Sequence, residues 1–396
     1  KTYAKDQYET YAGTADLYVY FVEQGYKLLR DEGRMGYILP NKWLRANYGK
    51  ALRGFLHDKA ESLIDFGDLP VFKDATTYPL ILTLNKTHHL PNVGTGLALS
   101  ATSQDVIHVA QATELPNNTT LKTVLPPLYE VPRTALDKKG WTLARPAEQN
   151  LLEKLKACGV PLGDYVDNQI YRGIVTGLNE AFVIDKSTRK YLIQQDPKSE
   201  NLIKPFLAGR DVKRYEQSQS DSYLIYVTWD CPIEEYPAIL QHLEQFKTRL
   251  SARPEVKEGR FAWYALSRYG SQYVDEFEKP KIIYPNILKQ PEFTFDAQKW
   301  FTNQKCFIIS VNDLYLLGIL NSKLTLYLFN QLLPKLRGGF FEPNAVVFTK
   351  FPIRKLDLSK PAEKSQHDQL VKLVERMLAL KAEYAELENS LNDRRH

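Results

Sequence analysis

The stretch GDLPVFKDATTYPLILTLNK, residues 67–86, decides the fold of the first part of the chain, because an apolar strand follows an aromatic turn there. Helical and strand patterns alternate before it, in the order helix, strand, helix, strand, strand: TADLYVYFVEQGYKLLRDEG, RMGYILP, NYGKALRGFLHDK, SLIDFG and YPLILTLNK. The first helix is predicted to be amphipathic, with its apolar face formed by Leu17, Tyr20, Phe21 and Leu28. This order is typical of one half of an α/β sheet domain.

The bulk composition allows several functions and argues against a few. At 396 residues the chain exceeds the usual single-domain range, so we expect two domains and a further element. Lys and Arg number 52 against 47 Asp and Glu, a net charge of +5 that permits nucleic-acid binding through local patches without requiring it. Three scattered cysteines fit reduced thiols in a cytoplasmic protein. There is no apolar run of about eighteen residues and no zinc-type spacing, so neither a membrane nor a metal partner is predicted.

The last forty residues have a different pattern. From Leu370 onward the apolar residues follow alternating steps of three and four, at Leu373, Met377, Leu380, Tyr384, Leu387 and Leu391. This spacing predicts a long helix with a heptad seam. Docking of the helix against the chain's own domain and self-association through the seam both fit the pattern.

Several motifs, in a fixed order, resemble a known family. The segments DLYVYFVEQGYKLL, GRMGYILPNKWLRANYGKALR, IDFGDLPVF and TTYPLILTLNK resemble the C-terminal half of the catalytic domain of gamma-class adenine DNA methyltransferases, particularly those of type IIG restriction-modification enzymes. The region that follows resembles a TaqI-type target recognition domain, through IYRGIVTGLNEAFVID, LIKPFLAGRDVKRY, KPKIIYPNI, LYLLGILNSKL and KLRGGFFEPN. The resemblance covers nearly the whole chain.

The resemblance implies three domains and a fold class. Residues 1–133 are expected to form half of a Rossmann-like methyltransferase sheet of α/β class with a connector. Residues 134–356 are expected to form an α+β target recognition domain, and residues 357–396 a long helix. The partner that the resemblance implies is double-stranded DNA, and the cofactor of the parent protein is S-adenosylmethionine.

Two family motifs are missing from the sequence. The Gly-rich cofactor loop and the catalytic Asn-Pro-Pro-Tyr tetrapeptide, which belong before the segment that begins at Thr14, do not occur. We therefore expect the C-terminal portion of an adenine-specific DNA methyltransferase that holds DNA but transfers no methyl group alone. The alternative is a stand-alone, non-catalytic DNA-binding specificity module.

Two aromatic residues take supporting roles through the resemblance. Phe72 matches the aromatic that stacks on the flipped adenine, and Phe21 matches a residue that packs against the adenine of the cofactor. Phe72 could also be a core residue at a strand end. Phe21 could equally be a core residue on the helix face with Leu17 and Leu28.

The candidate DNA-binding residues lie in basic segments with glycine, amide or aromatic neighbours. Arginine and lysine contact phosphates or guanine, an amide side chain can read adenine, and aromatics can insert beside a flipped base. The alternatives are a Gly-rich hairpin, a solvated charged face and a turn with buried aromatics. The candidates are Arg172, Thr176, Asn179, Lys204, Arg210, Lys213, Arg214, Arg268, Lys335, Arg337, Phe340 and Phe341.

Overall fold

A computed structural model describes most of the chain, namely residues 2–67, 69, 71–72, 77–86, 105–112, 127–138, 140–143, 145–216, 220–333, 335–336 and 338–393. The helices are α1 Thr2–Gln7, α2 Tyr18–Leu28, α3 Lys50–Leu56, α4 Pro146–Cys158, α5 Leu162–Tyr165, α6 Asn179–Phe182, α7 Lys186–Gln195, α8 Pro237–Glu244, α9 Lys247–Ser251, α10 Pro254–Lys257, α11 Leu314–Leu320, α12 Lys323–Leu332, α13 Ala345–Phe348 and α14 Pro361–Asp393. The strands are β1 Arg34–Pro40, β2 Ala60–Asp65, β3 Pro79–Asn85, β4 Val106–Gln111, β5 Tyr129–Pro132, β6 Leu136–Asp137, β7 Gly140–Trp141, β8 Val160–Pro161, β9 Ile170–Arg172, β10 Val183–Asp185, β11 Ile203–Leu207, β12 Ser222–Ile225, β13 Lys281–Pro285, β14 Thr294–Asp296, β15 Phe301–Thr302, β16 Cys306–Ile309, β17 Lys335–Leu336, β18 Phe340–Phe341 and β19 Pro352–Ile353.

The chain forms two compact units. Unit 1 contains residues 1–157 and 328–342, and unit 2 contains residues 158–327 and 343–396. The predicted mixture of helices and strands and the predicted C-terminal helix are confirmed.

Unit 1 is built on a five-stranded sheet in the order β1-β3-β2-β4-β5. β3 pairs antiparallel with both β1 and β2, so β1 and β2 run in the same direction, and α3 lies between them in the chain. β4 pairs parallel with β2 and antiparallel with β5. The predicted succession of α2, β1, α3, β2 and β3 is therefore confirmed.

The buried face of α2 differs from the predicted one. Leu17, Phe21 and Leu28 are exposed, whereas Val19, Val22 and Glu23 are buried. The apolar spacing of this segment is compatible with burial of either face of the helix. Hydrogen bonds from other segments to Glu23 favour burial of the face that carries Val19, Val22 and Glu23. The expectation that Phe21 packs in the core with Leu17 and Leu28 is wrong.

Glu23 is buried because its carboxylate receives several hydrogen bonds. Thr10 donates its backbone N–H at 2.9 Å and its hydroxyl at 2.7 Å, and Lys27 Nζ lies 2.5 Å from Oε1. Burial acts to raise the pKa of Glu23, but the hydrogen bonds from Lys27 and Thr10 outweigh it and hold the pKa below its ordinary value of 4.5. The charged carboxylate thus ties the segment before α2 to the helix.

We expect Glu23→Gln to lower the free energy of unfolding by about 1.5–3 kcal/mol at neutral pH, because a charged acceptor is lost in a buried site. Since the folded pKa is depressed, this stabilisation is present above pH 4.5 and is lost as the pH falls through the folded pKa. Urea unfolding at several pH values measures the difference between the two proteins. The control is Glu61→Gln, which removes a surface pair with Arg34 and should cost less than about 1 kcal/mol. A difference that does not change with pH would contradict the role of the Glu23 charge.

Unit 2 contains two four-stranded sheets around a shared core. The sheets have the orders β10-β12-β11-β15 and β14-β13-β16-β9. Phe206 and Leu224 from the first sheet, Ile283 and Ile308 from the second, and Ile239 from α8 are buried in one hydrophobic cluster. Tyr171 of β9 packs against this cluster and Ile174 belongs to it, so the cluster holds the strand and the start of the loop from which the candidate interface begins.

A buried ion pair crosses β13 and β14. Lys281 and Asp296 face each other in the strand register, and both side chains are almost fully buried. Lys281 Nζ donates to Asp296 and, at 2.6 Å, to the backbone carbonyl of Phe277. Burial lowers the pKa of Lys281, and the Asp296 carboxylate opposes that effect.

The C-terminal helix α14 has 33 residues and docks through its first half. It contacts α11, where Leu370 and Val374 lie against Gly318. Val374 is buried, whereas the predicted seam residues Leu373, Met377, Leu380, Tyr384 and Leu387 are exposed.

Neither a candidate membrane span nor a cluster of three or more metal-binding side chains was found among the residues that the structure describes.

Candidate nucleic-acid interface

Arg172 ends β9 at the edge of a sheet in unit 2. β9 pairs antiparallel with β16, which places Arg172 opposite Phe307. Its guanidinium is exposed, and Nε donates to the backbone carbonyl of Gln304 at 3.3 Å. This bond fixes the stem of the side chain, so that the terminal nitrogens are held at the surface.

Two glycines shape the loop that follows Arg172. A Cβ at Gly173 would lie 2.0 Å from the carbonyl oxygen of Asn303, so this position needs glycine for a close backbone approach. Gly177 has a φ of +81°, and a Cβ there would lie 2.2 Å from Ser267 Oγ. Gly177 therefore needs glycine both for its backbone conformation and for space.

We expect Gly177→Ala to destabilise unit 2 by more than the roughly 1–2 kcal/mol cost of a left-handed residue, because of the contact with Ser267. The matched control is Gly259→Ala, since Gly259 has a φ of +72° and open space around its Cβ position. Chemical unfolding of both variants separates the backbone strain, which they share, from the steric clash. Equal losses of stability would show that Ser267 does not restrict the loop.

Arg268 lies beside the same loop. The backbone N–H of Val175 donates to the carbonyl of Arg268 at 2.9 Å, and the N–H of Arg268 donates back at 3.0 Å. Burial raises the pKa of the Tyr273 hydroxyl, and the positive charges of Arg172 and Arg268 both oppose that rise. Both arginines therefore lie close to Tyr273. We call Arg172, Arg268, Tyr171 and Tyr273 the arginine edge; its two tyrosine rings stack with centroids 4.9 Å apart.

Thr176 and Asn179 have different positions in the loop. Thr176 is only 1% exposed, and its hydroxyl lies 2.6 Å from Asn179 Oδ1. Asn179 is exposed at the start of α6. The buried hydroxyl of Thr176 thus orients the amide group of Asn179, and the Asn179 side chain is exposed at the surface.

Arg253 is a residue that sequence reasoning did not identify. Its side chain is buried and donates to the carbonyls of Leu250 and Trp263 at 2.9 and 2.6 Å, and to that of Thr176 at 3.3 Å. Burial lowers its pKa, and Glu255 opposes that effect. Arg253 therefore holds the loop to the segment that carries Arg268. Its neighbours in the sequence give no sign of this role.

The basic run from Lys204 to Arg214 is less uniform than the sequence suggests. Lys204 is half-buried and pairs with Glu278 at 3.4 Å, whereas Arg210 and Lys213 are exposed. Arg214 donates to the carbonyl of Asn321. The interleaved aromatics Phe206 and Tyr215 are buried, and the guanidinium of Arg214 lies 5.4 Å from the centroid of the Tyr215 ring.

The hairpin 335–341 belongs to unit 1. β17 and β18 pair antiparallel, with a turn in which Gly338 and Gly339 have positive φ angles. Phe341 is buried against Phe329, with ring centroids 5.6 Å apart, and Phe340 is half-buried. The expectation that both aromatics are exposed is wrong. Arg337 and the side chain of Lys335 lie outside the described residues.

Phe72 and Phe21 are both exposed in unit 1, with exposed fractions of 44% and 58%. Phe72 follows the end of β2, and Phe21 lies on the outer face of α2. The residues directly after Phe72 lie outside the described part of the chain.

A polar cleft of about 380 Å³ lies at the carboxyl ends of the parallel strands β2 and β4. Asp65 Oδ1 accepts from Asn41 Nδ2 at 2.9 Å and from the backbone N–H of Gly67 at 3.0 Å. Burial lowers the pKa of Arg45, which also lines the cleft, and the charge of Asp65 opposes that effect. In open α/β sheets, ligands bind in this position, outside the carboxyl ends of parallel strands.

Two parts of the chain match known families. Residues 1–72 match the family described as Eco57I restriction-modification methylase, and residues 204–353 match the TaqI-like C-terminal specificity domain. The type II restriction enzyme and methyltransferase RM.Eco57I of Escherichia coli is 25% identical over 418 aligned residues, which cover 92% of this chain and 39% of that protein. The type II methyltransferase M.PaeR7I of Pseudomonas aeruginosa is 21% identical over 387, covering 93% of this chain and 64% of that protein.

Among solved structures, the type IIG restriction endonuclease BpuSI aligns with a TM-score of 0.39 and 14% sequence identity, over 93% of this chain and 45% of that one. The chain thus spans about two fifths to two thirds of the length of these relatives. The resemblance predicted from the motifs is confirmed: one segment of the chain matches the Eco57I restriction-modification methylase family and a later one matches the TaqI-like C-terminal specificity domain.

Proposed function

We propose that this chain is the C-terminal part of an adenine-specific, S-adenosylmethionine-dependent DNA methyltransferase of type IIG restriction-modification character, and that unit 2 binds duplex DNA sequence-specifically. The observation that carries the proposal is the arginine edge. Arg172 and Arg268 are 96 positions apart in the sequence, and the Val175–Arg268 backbone pair brings them together on an exposed edge. Arg268 lies within the segment that matches the specificity domain.

The chemistry of this edge suits a DNA backbone and its bases. Guanidinium groups bind phosphate oxygens or the O6 and N7 atoms of guanine through paired N–H donors. The amide of Asn179 has its Oδ1 fixed by Thr176, which leaves Nδ2 and a second lone pair of Oδ1 for an adenine edge. Gly173 and Gly177 let the backbone of the loop lie close to its neighbours. Arg210 and Lys213 add exposed positive charge in the same unit.

Unit 1 would take part in methyl transfer through Phe72. The exocyclic amine of adenine can be methylated only after the base leaves the duplex, and an exposed aromatic ring stabilises the extruded base by about 1–3 kcal/mol through stacking. Phe72 has an exposed ring and follows β2 in the chain, seven residues after Asp65, which lines the polar cleft.

S-adenosylmethionine supplies the methyl group when it is bound. The exposed ring of Phe21 fits one part of such a site, because it offers a stacking face for the adenine of the cofactor. The sequence contains no Gly-rich loop of the family type, so Phe21 would act together with residues that are not in this chain.

The edge of the sheet in unit 1 supports the proposal of a larger Rossmann-like catalytic sheet. Within the described residues, β1 pairs only with β3, so its other side has no strand partner. Leu17 just before α2, Leu28 at its end and Ile38 on β1 are large exposed apolar residues. A sheet that continued past β1 would cover these side chains and satisfy the free strand edge.

Titration of the chain with duplex DNA at two salt concentrations tests the proposal. Phosphate contacts release counterions, so we expect the affinity to fall steeply as the salt concentration rises.

Calorimetry with S-adenosylmethionine should show no binding, and a methylation assay with the chain alone should show no transfer. Binding that does not depend on salt would remove DNA as the partner. Micromolar cofactor binding would contradict the division of the site between this chain and further residues.

A further inference from the structure

A regular row of exposed apolar side chains, the seam, follows α14 in unit 2. Leu373, Met377, Leu380, Tyr384 and Leu387 have exposed fractions between 41% and 63%. They follow the steps of four, three, four and three residues that characterise the a and d positions of a coiled coil. Isolated apolar side chains on a surface are normal, but a continuous stripe of them marks a site of contact.

The seam borders the face by which α14 docks on its own unit. Because successive residues turn by about 100° around a helix, the five seam residues lie about 60–140° away from Val374, and Leu370 lies one heptad before Met377. Val374 is buried at the contact with α11, where Leu370 also lies against Gly318. Met377 also lines a cleft with residues 213–216 of the same unit. Docking therefore accounts for the start of the seam, whereas Leu373, Leu380, Tyr384 and Leu387 remain between 48% and 63% exposed.

The charges beside the seam are divided between the two halves of the helix. Between residues 372 and 381, three of the four charged side chains are basic, namely Lys372, Arg376 and Lys381. Between residues 383 and 388, all three are acidic, namely Glu383, Glu386 and Glu388. A parallel copy of the helix would place basic against basic and acidic against acidic. An antiparallel copy would place each basic half against an acidic half.

We propose that α14 pairs with α14 of a second copy of this chain as a short antiparallel coiled coil. The two-fold arrangement buries the same five residues from each copy. It also places the basic part of each helix against the acidic part of the other. The seam from Leu373 to Leu387 spans about two heptads, so the pairing depends on protein concentration. This inference does not rest on the proposed DNA function.

Sedimentation equilibrium of the full chain tests the pairing. At the highest soluble concentration we expect a mass near twice the monomer mass of 45.6 kDa, with dissociation on dilution. Leu380→Lys and Tyr384→Lys should each give a monomer, because a charged amine enters the seam. Ala379→Lys, which adds the same side chain on another face of the same helix, should remain a dimer. Circular dichroism confirms that each variant is folded. A monomeric parent chain, or dimers in both seam variants, would overturn the proposal.

Charge exchange tests the orientation. Glu383→Lys combined with Glu388→Lys places basic against basic in an antiparallel pair, so we expect dimer dissociation to increase at least tenfold. Adding Arg376→Glu and Lys381→Glu restores opposite charges and should restore the dimer. In a parallel pair the first double variant would leave like charges facing each other as before. An unchanged dissociation constant for that variant would therefore rule out the antiparallel arrangement.

Discussion

Replacement of Lys281 by Met is expected to lower the free energy of unfolding of unit 2 by about 3–5 kcal/mol, because it leaves the carboxylate of Asp296 buried without its cation. Both side chains lie between β13 and β14 with almost no exposure. Asp296 also accepts from the backbone N–H groups of Gln298 and Trp300, at 2.7 and 3.0 Å. The carboxylate therefore cannot move to solvent without breaking these bonds.

The magnitude follows from the cost of an uncompensated charge rather than from the strength of the pair. Burial already lowers the pKa of Lys281, so the pair itself is costly to bury. Urea unfolding of Lys281→Met measures the loss. The matched control is Lys279→Met, two residues before Lys281, which removes an exposed lysine that pairs with Glu276 and should cost less than about 1 kcal/mol. Similar losses for both variants would show that Asp296 finds another partner.

The arginine edge should carry most of the affinity of unit 2 for DNA. We expect Arg172→Ala and Arg268→Ala each to weaken duplex binding by about 1–3 kcal/mol, roughly 5- to 150-fold, because each removes a guanidinium from the same edge. The double variant Arg172→Ala with Arg268→Ala tests whether the two losses add.

Titration of duplex DNA into each variant at two salt concentrations separates the roles of the two arginines. Loss of a phosphate contact lowers the slope of log affinity against log salt concentration by about one. Loss of a base contact instead changes the preference among DNA sequences. Arg354→Ala is the matched control, because Arg354 is also exposed in unit 2 but lies beside Tyr315. Unchanged affinity for both edge variants at low salt would remove the arginine edge from the interface.

Local patterns predicted the order of elements in unit 1 but not the face of α2. Helix and strand periods depend on neighbours in the sequence, and α2, β1, α3, β2 and β3 all follow them. The burial of Glu23 depends on donors from Thr10, thirteen residues away. A charge on a helix is usually assigned to solvent, so the pattern favoured Leu17, Phe21 and Leu28 instead.

The candidate interface was predictable where glycine and arginine lie together, and less so elsewhere. Arg172, Asn179 and Arg268 are exposed, and Gly177 has the positive φ that the Gly-rich loop suggested. Thr176 and Phe341 are buried because contacts with distant segments cover them. Arg253 was missed because its partners are backbone carbonyls, which no residue type reveals.

The two backbone hydrogen bonds between Val175 and Arg268 hold two distant stretches of sequence together as one structural unit. Arg253 adds a second tie, because it donates to the carbonyl of Thr176 on one side and that of Trp263 on the other. In both ties the partners within residues 173–179 are backbone groups, so a loop grafted from a relative can keep them with a different sequence, provided that residue 175 is not proline, the backbone path is unchanged and residue 253 stays arginine. The side chains of the loop can therefore change while its position relative to Arg268 is kept.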